Sequence, residues 1–151
     1  MKSNPLVKLR SFGQSIWLNW FRRGMLTSGE LKSFMDEDGV SGVTSNSLVF
    51  ERAVTGSHDY DDDLRTLALH GKTAEDIYWI LKIHDAQQAC DLLRPIYDQT
   101  NGKDGLVSLD ILPRPVHGRS QISIATGRRG FLEENLTGSP KAEARTGAVI
   151  E

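Results

Sequence analysis

Residues 42–51 read GVTSNSLVFE. Gly42 and Val43 lead into four hydroxyl or amide side chains in a row, Thr44, Ser45, Asn46 and Ser47, and then at once into Leu48, Val49 and Phe50. A short apolar run, a polar cluster and a second apolar run is the pattern of a buried strand handing over to a helix. The stretch predicts a strand over GVSGVT (39–44), a helix over LVFERAV (48–54), and Ser47 as the N-cap between them.

Upstream, QSIWLNW (14–20) lies between Gly13 and Gly24 and is rich in aliphatic and aromatic residues, which predicts another buried strand. In TSGELKSFMDEDG (27–39), Thr27 and Glu30 have capping-box spacing, Leu31, Phe34 and Met35 share a helical face, and Gly39 closes the helix. Downstream, DYDDDLRTLALHG (59–71) carries carboxylates in its first turn, where the helix dipole favours them, with Tyr60, Leu64 and Leu67 on one face. Thr73 and Asp76 form a second capping-box pair before a long apolar-periodic run of Ile77, Ile80, Leu81, Ala89, Leu92, Leu93 and Ile96. Pro95 predicts a kink or break in that helix. NGKDG (101–105) is a turn, and LVSLDIL (106–112) a third strand.

This order predicts an α/β fold with a parallel sheet or barrel, which places its chemistry at the carboxyl ends of its strands. Thr44, Ser45 and Asn46 then end the second strand, Asn19 holds the equivalent place on the first and Asp110 on the third. Residues 118–151 show no sustained periodicity, and the chain divides into an α/β part (1–117) and a poorly structured tail (118–151).

Composition narrows the function classes. Eighteen basic and twenty acidic residues in 151 give a net charge of −2, and GRRGF (127–131) is too short and isolated to be a nucleic-acid patch. The single cysteine, Cys90, excludes an internal disulfide and a cysteine-based zinc cage; its neighbours Ala89 and Leu93 read as helix packing. His58, His70, His84 and His117 lack ligand spacing, and DYDDD is not a calcium loop, because Leu64 and His70 stand where glycine and a bidentate glutamate are needed. With no run of ~20 apolar residues and no signal-peptide core, a cytoplasmic chain is expected, without metal, membrane or nucleic acid.

Four blocks together carry a resemblance: NPLVKLRSFGQSIWL (4–18), RGMLTSGELKSFMDEDGVSGVTSN (23–46), HDYDDDLR (58–65) and ACDLLRPIYDQTNGKDGLVSLD (89–110). In order and over about residues 4–113, they resemble the N-terminal part of bacterial transaldolases. The resemblance implies the first three to four strands of a (β/α)₈ barrel. It also implies transfer of a dihydroxyacetone unit from sedoheptulose 7-phosphate to glyceraldehyde 3-phosphate through a lysine Schiff base, with no cofactor.

Carried over residue by residue, the resemblance implies that Asn19 stands where the family has a proton-transferring aspartate. An amide can hold a hydroxyl there but cannot do acid/base work at neutral pH. Thr44, Ser45 and Asn46 match a Thr-Ser-Asn-Pro motif whose asparagine bonds the ketose, and Ser47 replaces the proline. Asp110 stands for a glutamate that orients water and protons. Lys141 lies near the expected distance for the nucleophilic lysine, although Ser139, Pro140, Ala142, Glu143 and Ala144 around it are unlike a buried barrel strand.

Each assignment has a plainer counterpart: turn and cap chemistry for Thr44–Asn46, polar strand ends for Asn19 and Asp110, and a solvated lysine for Lys141. A complete barrel takes ~250 residues, so a second reading stands beside the enzyme. In it the chain is a truncated, inactive remnant that at most binds a sugar phosphate or self-associates through an open sheet edge.

Overall fold

The computed structural model describes residues 4–111 together with short strands at 120–124 and 148–150. The chain starts with α1 (Pro5–Leu9), capped by Asn4, whose side chain accepts from Leu6 N, and then makes a 3₁₀ turn, Arg10–Phe12. Strand β1 (Ile16–Leu18) follows, then α2 (Arg23–Thr27), α3 (Glu30–Ser33), a π turn (Phe34–Asp38) and β2 (Val40–Thr44). Next come α4 (Ser47–Gly56), α5 (Asp61–Leu69), α6 (Ala74–Gln99), β3 (Leu106–Ile111), β4 (Ser120–Ile124) and β5 (Ala148–Ile150).

The sheet order is β4-β3-β2-β1-β5. β5, β1, β2 and β3 run parallel, with helices connecting β1 to β2 and β2 to β3, which is the expected start of a partial (β/α)₈ barrel. β4 departs from the parallel pattern: it lies antiparallel to β3, with Asp110 opposite Gln121 and Ile111 opposite Ser120. Residues 112–119 are too few for the dozen or more that a parallel crossover needs, so the return is antiparallel. Of the expected tail, 118–151, only β4 and β5 fall within the described residues.

One sheet face carries the core. Ile16, Val40, Val43, Val107 and Leu109, each at most 2% exposed, pack against Met25, Leu26 and Leu31 of α2 and α3 and Ala86, Ala89 and Leu93 of α6. A bulge between Ile16 and Trp17 pairs Ile16 with Val40 but Trp17 with Gly42; the intervening Ser41 bonds through its Oγ to the Ile16 carbonyl at 3.4 Å. That extra residue lets both Val40 and Val43 face the helices. The other face is set by alternation: Trp17 lies against Gly42, and Thr44 pairs with Ser108.

A β-carbon at Gly42 would overlap the Trp17 indole, coming within 2.7 Å of Nε1. Gly42→Ala is therefore expected to cost about 1–3 kcal/mol, the range for overpacking. Urea denaturation followed by tryptophan emission reads both the loss and the displaced indole; an unchanged midpoint would refute the contact.

Several helix boundaries differ from the sequence expectation. No capping box forms at Thr27 and Glu30. Gly29, at φ 86°, splits the segment, Thr27 ends α2 with its hydroxyl donating to Arg23 O at 3.1 Å, and Glu30 opens α3. Ser47 is the first residue of α4 rather than its cap; Asn46, at φ −119° and ψ 114°, is the cap. α6 runs through Pro95 to Gln99, so the predicted break is absent. Leu93 and Ile96 on either side of the missing backbone bond join one core cluster, so packing supports the turn that Pro95 would otherwise weaken. The Thr73–Asp76 capping box forms as expected. Cys90 packs half-buried against the core, and burial pushes its thiol up to about 12, which disfavours the thiolate and fits the packing role expected for it.

Candidate functional site at the carboxyl edge of the sheet

The residues expected at strand ends are brought to one edge of three adjacent strands. Asn19 is the first residue after β1, and Thr44 is the last of β2. Ser45 and Asn46 follow it, and Asp110 is the penultimate residue of β3. Ser45 is 5% exposed and its N–H donates to the Ser108 carbonyl at 2.8 Å, continuing the β2–β3 ladder one step beyond the strand. Asp110 follows Ser108 by two residues along β3. Lys141 lies outside the described residues.

Asn46 is defined in most detail. Its Oδ1 accepts from Leu48 N at 3.1 Å and Val49 N at 3.2 Å, satisfying two of the otherwise orphaned donors of α4. The cap chemistry considered for this stretch is therefore present, and it engages only the amide oxygen. Thr44 Oγ1 makes a long contact of 3.5 Å to Ser45 O. A donor amide beside two hydroxyls at a strand end suits a polyhydroxylated ligand, which offers acceptors and donors together.

Two buried polar groupings behind this edge escaped the sequence reading. In the first, Arg23 of α2 donates from Nε to Asp85 Oδ1 at 2.9 Å and from Nη1 to Asp63 at 2.6 Å, and its guanidinium stacks 4.4 Å from the Tyr60 ring centroid. Tyr60 donates to Asp85 Oδ2 at 2.7 Å and accepts from Arg23 N at 3.1 Å. Burial alone would lower the Arg23 pKa, but Asp85 and Asp63 outweigh it and the net direction is up. Burial pushes the Asp85 carboxyl up, with Tyr60 and Arg23 pulling the other way. Burial, reinforced by Asp85, also raises the Tyr60 phenol, which stays a protonated donor.

The second grouping surrounds Lys82, which is 1% exposed. Its ammonium donates to Ser47 Oγ at 3.0 Å and Tyr78 Oη at 3.2 Å. The signal was available: the buried positions of α6 are Leu81, Lys82, Asp85, Ala86, Ala89 and Leu93, a helical stripe that includes two charges. Ile80, assigned to the apolar face from its spacing, is 39% exposed.

Among the described residues, no group of three or more His, Cys, Asp or Glu could hold a metal ion, and no helix is long and apolar enough to cross a membrane.

Comparison with known proteins decides the family. The model for transaldolase/fructose-6-phosphate aldolase matches residues 25–129. The chain belongs to this family. "Transaldolase 2" of Nostoc punctiforme is 39% identical over 90% of this chain and 36% of its own length. The transaldolase of Thiobacillus denitrificans is 44% identical over 72% of this chain and 30% of its own. "Transaldolase 2" of Streptomyces coelicolor is 39% identical over 76% of this chain and 31% of its own. The chain thus spans about a third of the length of the curated relatives it matches. The family match runs through Thr44, Ser45 and Asn46 and past Asp110, and begins after Asn19.

Proposed function

We propose that this chain carries the ketose-holding side of a transaldolase-type site that moves a dihydroxyacetone unit between sugar phosphates, as in the pentose phosphate pathway of the cytoplasm. One observation carries the reading: Thr44 ends β2 and Ser45 and Asn46 follow it, between the strand ends bearing Asn19 and Asp110, and all of these but Asn19 lie within the span of the family match. In this reading Asn46 donates from Nδ2 to a ketose oxygen, Thr44 and Ser45 hold neighbouring hydroxyls, and Asn19 binds a hydroxyl without exchanging protons. Asp110 orients water and protons, and Lys141 supplies the amine that condenses with the ketose carbonyl, releasing water. No metal or organic cofactor takes part.

The test is borohydride reduction in the presence of fructose 6-phosphate, followed by peptide mass spectrometry of every lysine. A reduced dihydroxyacetone adduct on Lys141 is expected, and its absence removes Lys141 from the role.

A second reading is favoured by the sheet. Within the described residues β4 and β5 are its edge strands, each with one paired neighbour. Pairing of such edges between two copies would give a self-associating module. Sedimentation that shows a monomer at every concentration would rule this out.

A further inference from the structure

Lys82 sits in the third turn of α6, 1% exposed, with its ammonium 5.4 Å from the Tyr78 ring centroid and 5.6 Å from that of Trp79. Removing an ammonium from water costs several kcal/mol, and ordering the long side chain costs up to about 2 kcal/mol more. An apolar side chain would fill this space without the desolvation penalty. The polar contacts are therefore what distinguish a lysine here, and among the described residues one such contact ties α6 to α4: Nζ to Ser47 Oγ at 3.0 Å.

Ser47 is the first residue of α4, next to Asn46, whose Oδ1 is engaged by the N–H groups of Leu48 and Val49. Proline suits this first helical position because its φ is already set. Serine has no such constraint, so the direction in which the chain enters α4 depends on whatever holds Ser47. The ammonium of Lys82 does that from the neighbouring helix.

We infer that Lys82 is a positioning residue for Asn46: by clamping Ser47 it fixes the first turn of α4, and with it the carboxamide whose remaining donor, Nδ2, faces a ketose oxygen. The ligand part of this inference rests on the proposed role of Asn46. The clamp itself stands on geometry alone.

The test uses the full chain and five forms: wild type, Lys82→Met, Ser47→Ala, Ser47→Pro, and the double variant Lys82→Met/Ser47→Pro. Amide hydrogen exchange at Leu48 and Val49 is read without ligand, and fructose 6-phosphate binding is read by calorimetric titration. Lys82→Met and Ser47→Ala are each expected to speed exchange at the two amides and weaken binding, both by roughly ten-fold, the scale of one lost hydrogen bond. The double variant is expected to regain wild-type exchange and binding, because proline supplies the missing constraint and no ammonium is left without its acceptor.

That rescue is what a purely space-filling role for Lys82 would not produce. Unchanged exchange in both Lys82→Met and Ser47→Ala overturns the clamp, as does a double variant no better than Lys82→Met. If the wild type binds no fructose 6-phosphate while Lys82→Met and Ser47→Ala still loosen Leu48 and Val49, the clamp holds and the proposed ligand is wrong.

Discussion

Asp85→Ala is expected to lower the free energy of unfolding by about 3–5 kcal/mol, the loss that follows when one member of a buried ion pair is removed. Asp85 is fully buried and receives both Arg23 Nε at 2.9 Å and the Tyr60 hydroxyl at 2.7 Å. Its removal leaves a guanidinium with a 10% exposed side chain facing a void, and leaves the Tyr60 hydroxyl without its acceptor. Asp63→Ala is the control. It removes a carboxylate whose side chain is 47% exposed, from an Arg23 that keeps Asp85, and is expected to cost about 1 kcal/mol or less. Urea unfolding curves of the two variants measure the difference, and equal losses would show that Asp85 does not organise the cluster.

Gly105→Ala is the second large effect, at about 3–5 kcal/mol. Two causes add. Gly105 has φ 76°, where a side chain costs about 1–3 kcal/mol. A β-carbon there would also overlap Tyr97 N, and would lie 2.8 Å from Tyr97 Cα and 2.9 Å from Leu93 O. These are backbone atoms of α6 and cannot rotate aside, so relief requires moving the helix away from the start of β3. Gly105 also donates from N to Ser41 O at 2.8 Å, so the movement would pull on the β2–β3 ladder just where it begins. Gly42→Ala has an overlap with a side chain and no positive φ, and is expected to cost less than Gly105→Ala. A thermal midpoint for Gly105→Ala within a degree of the wild type would contradict the close approach of α6 to this turn.

The parts of the fold that sequence reading recovered are those where one local rule acts alone. The Thr73–Asp76 box, the turn before β3 and the strands around Trp17, Val43 and Val107 are all set by neighbours within a few residues. It failed where two local solutions compete. Asn46 and Ser47 can both cap a helix, and Asn46 prevails because its extended backbone aims Oδ1 at two N–H groups. Thr27 and Glu30 satisfy the capping-box spacing, but Gly29 between them adopts a conformation that ends one helix and begins another. An Asn-Pro pair at residues 4 and 5, a cap followed by a favoured first helical residue, gave a signal for α1 that went unread.

The candidate site was legible in part for a related reason. Asn19, Thr44, Ser45, Asn46 and Asp110 could be assigned to strand ends because strands alternate and end at turns. The charges behind them were hidden by the assumption that a buried helical face is apolar. Arg23, Tyr60 and Asp85 are separated in the chain by 37 and 25 residues, and only the packing of α2 and α5 on α6 reveals that they satisfy one another. Lys82 and Ser47 are likewise 35 residues apart.

The reversal of β4 changes which residues can reach the rim. For β1, β2, β3 and β5 the last residues of the strand arrive there, but β4 approaches from the other direction, and its first residues, Ser120 and Gln121, stand level with Ile111 and Asp110. Its last residue, Ile124, is level with Val107, deep in the ladder. On the other flank, the final residue of β5, Ile150, stands level with Leu18, one step before Asn19. The two sides of the rim are therefore written in opposite chain directions, with a strand end on the β5 flank and a strand beginning on the β4 flank.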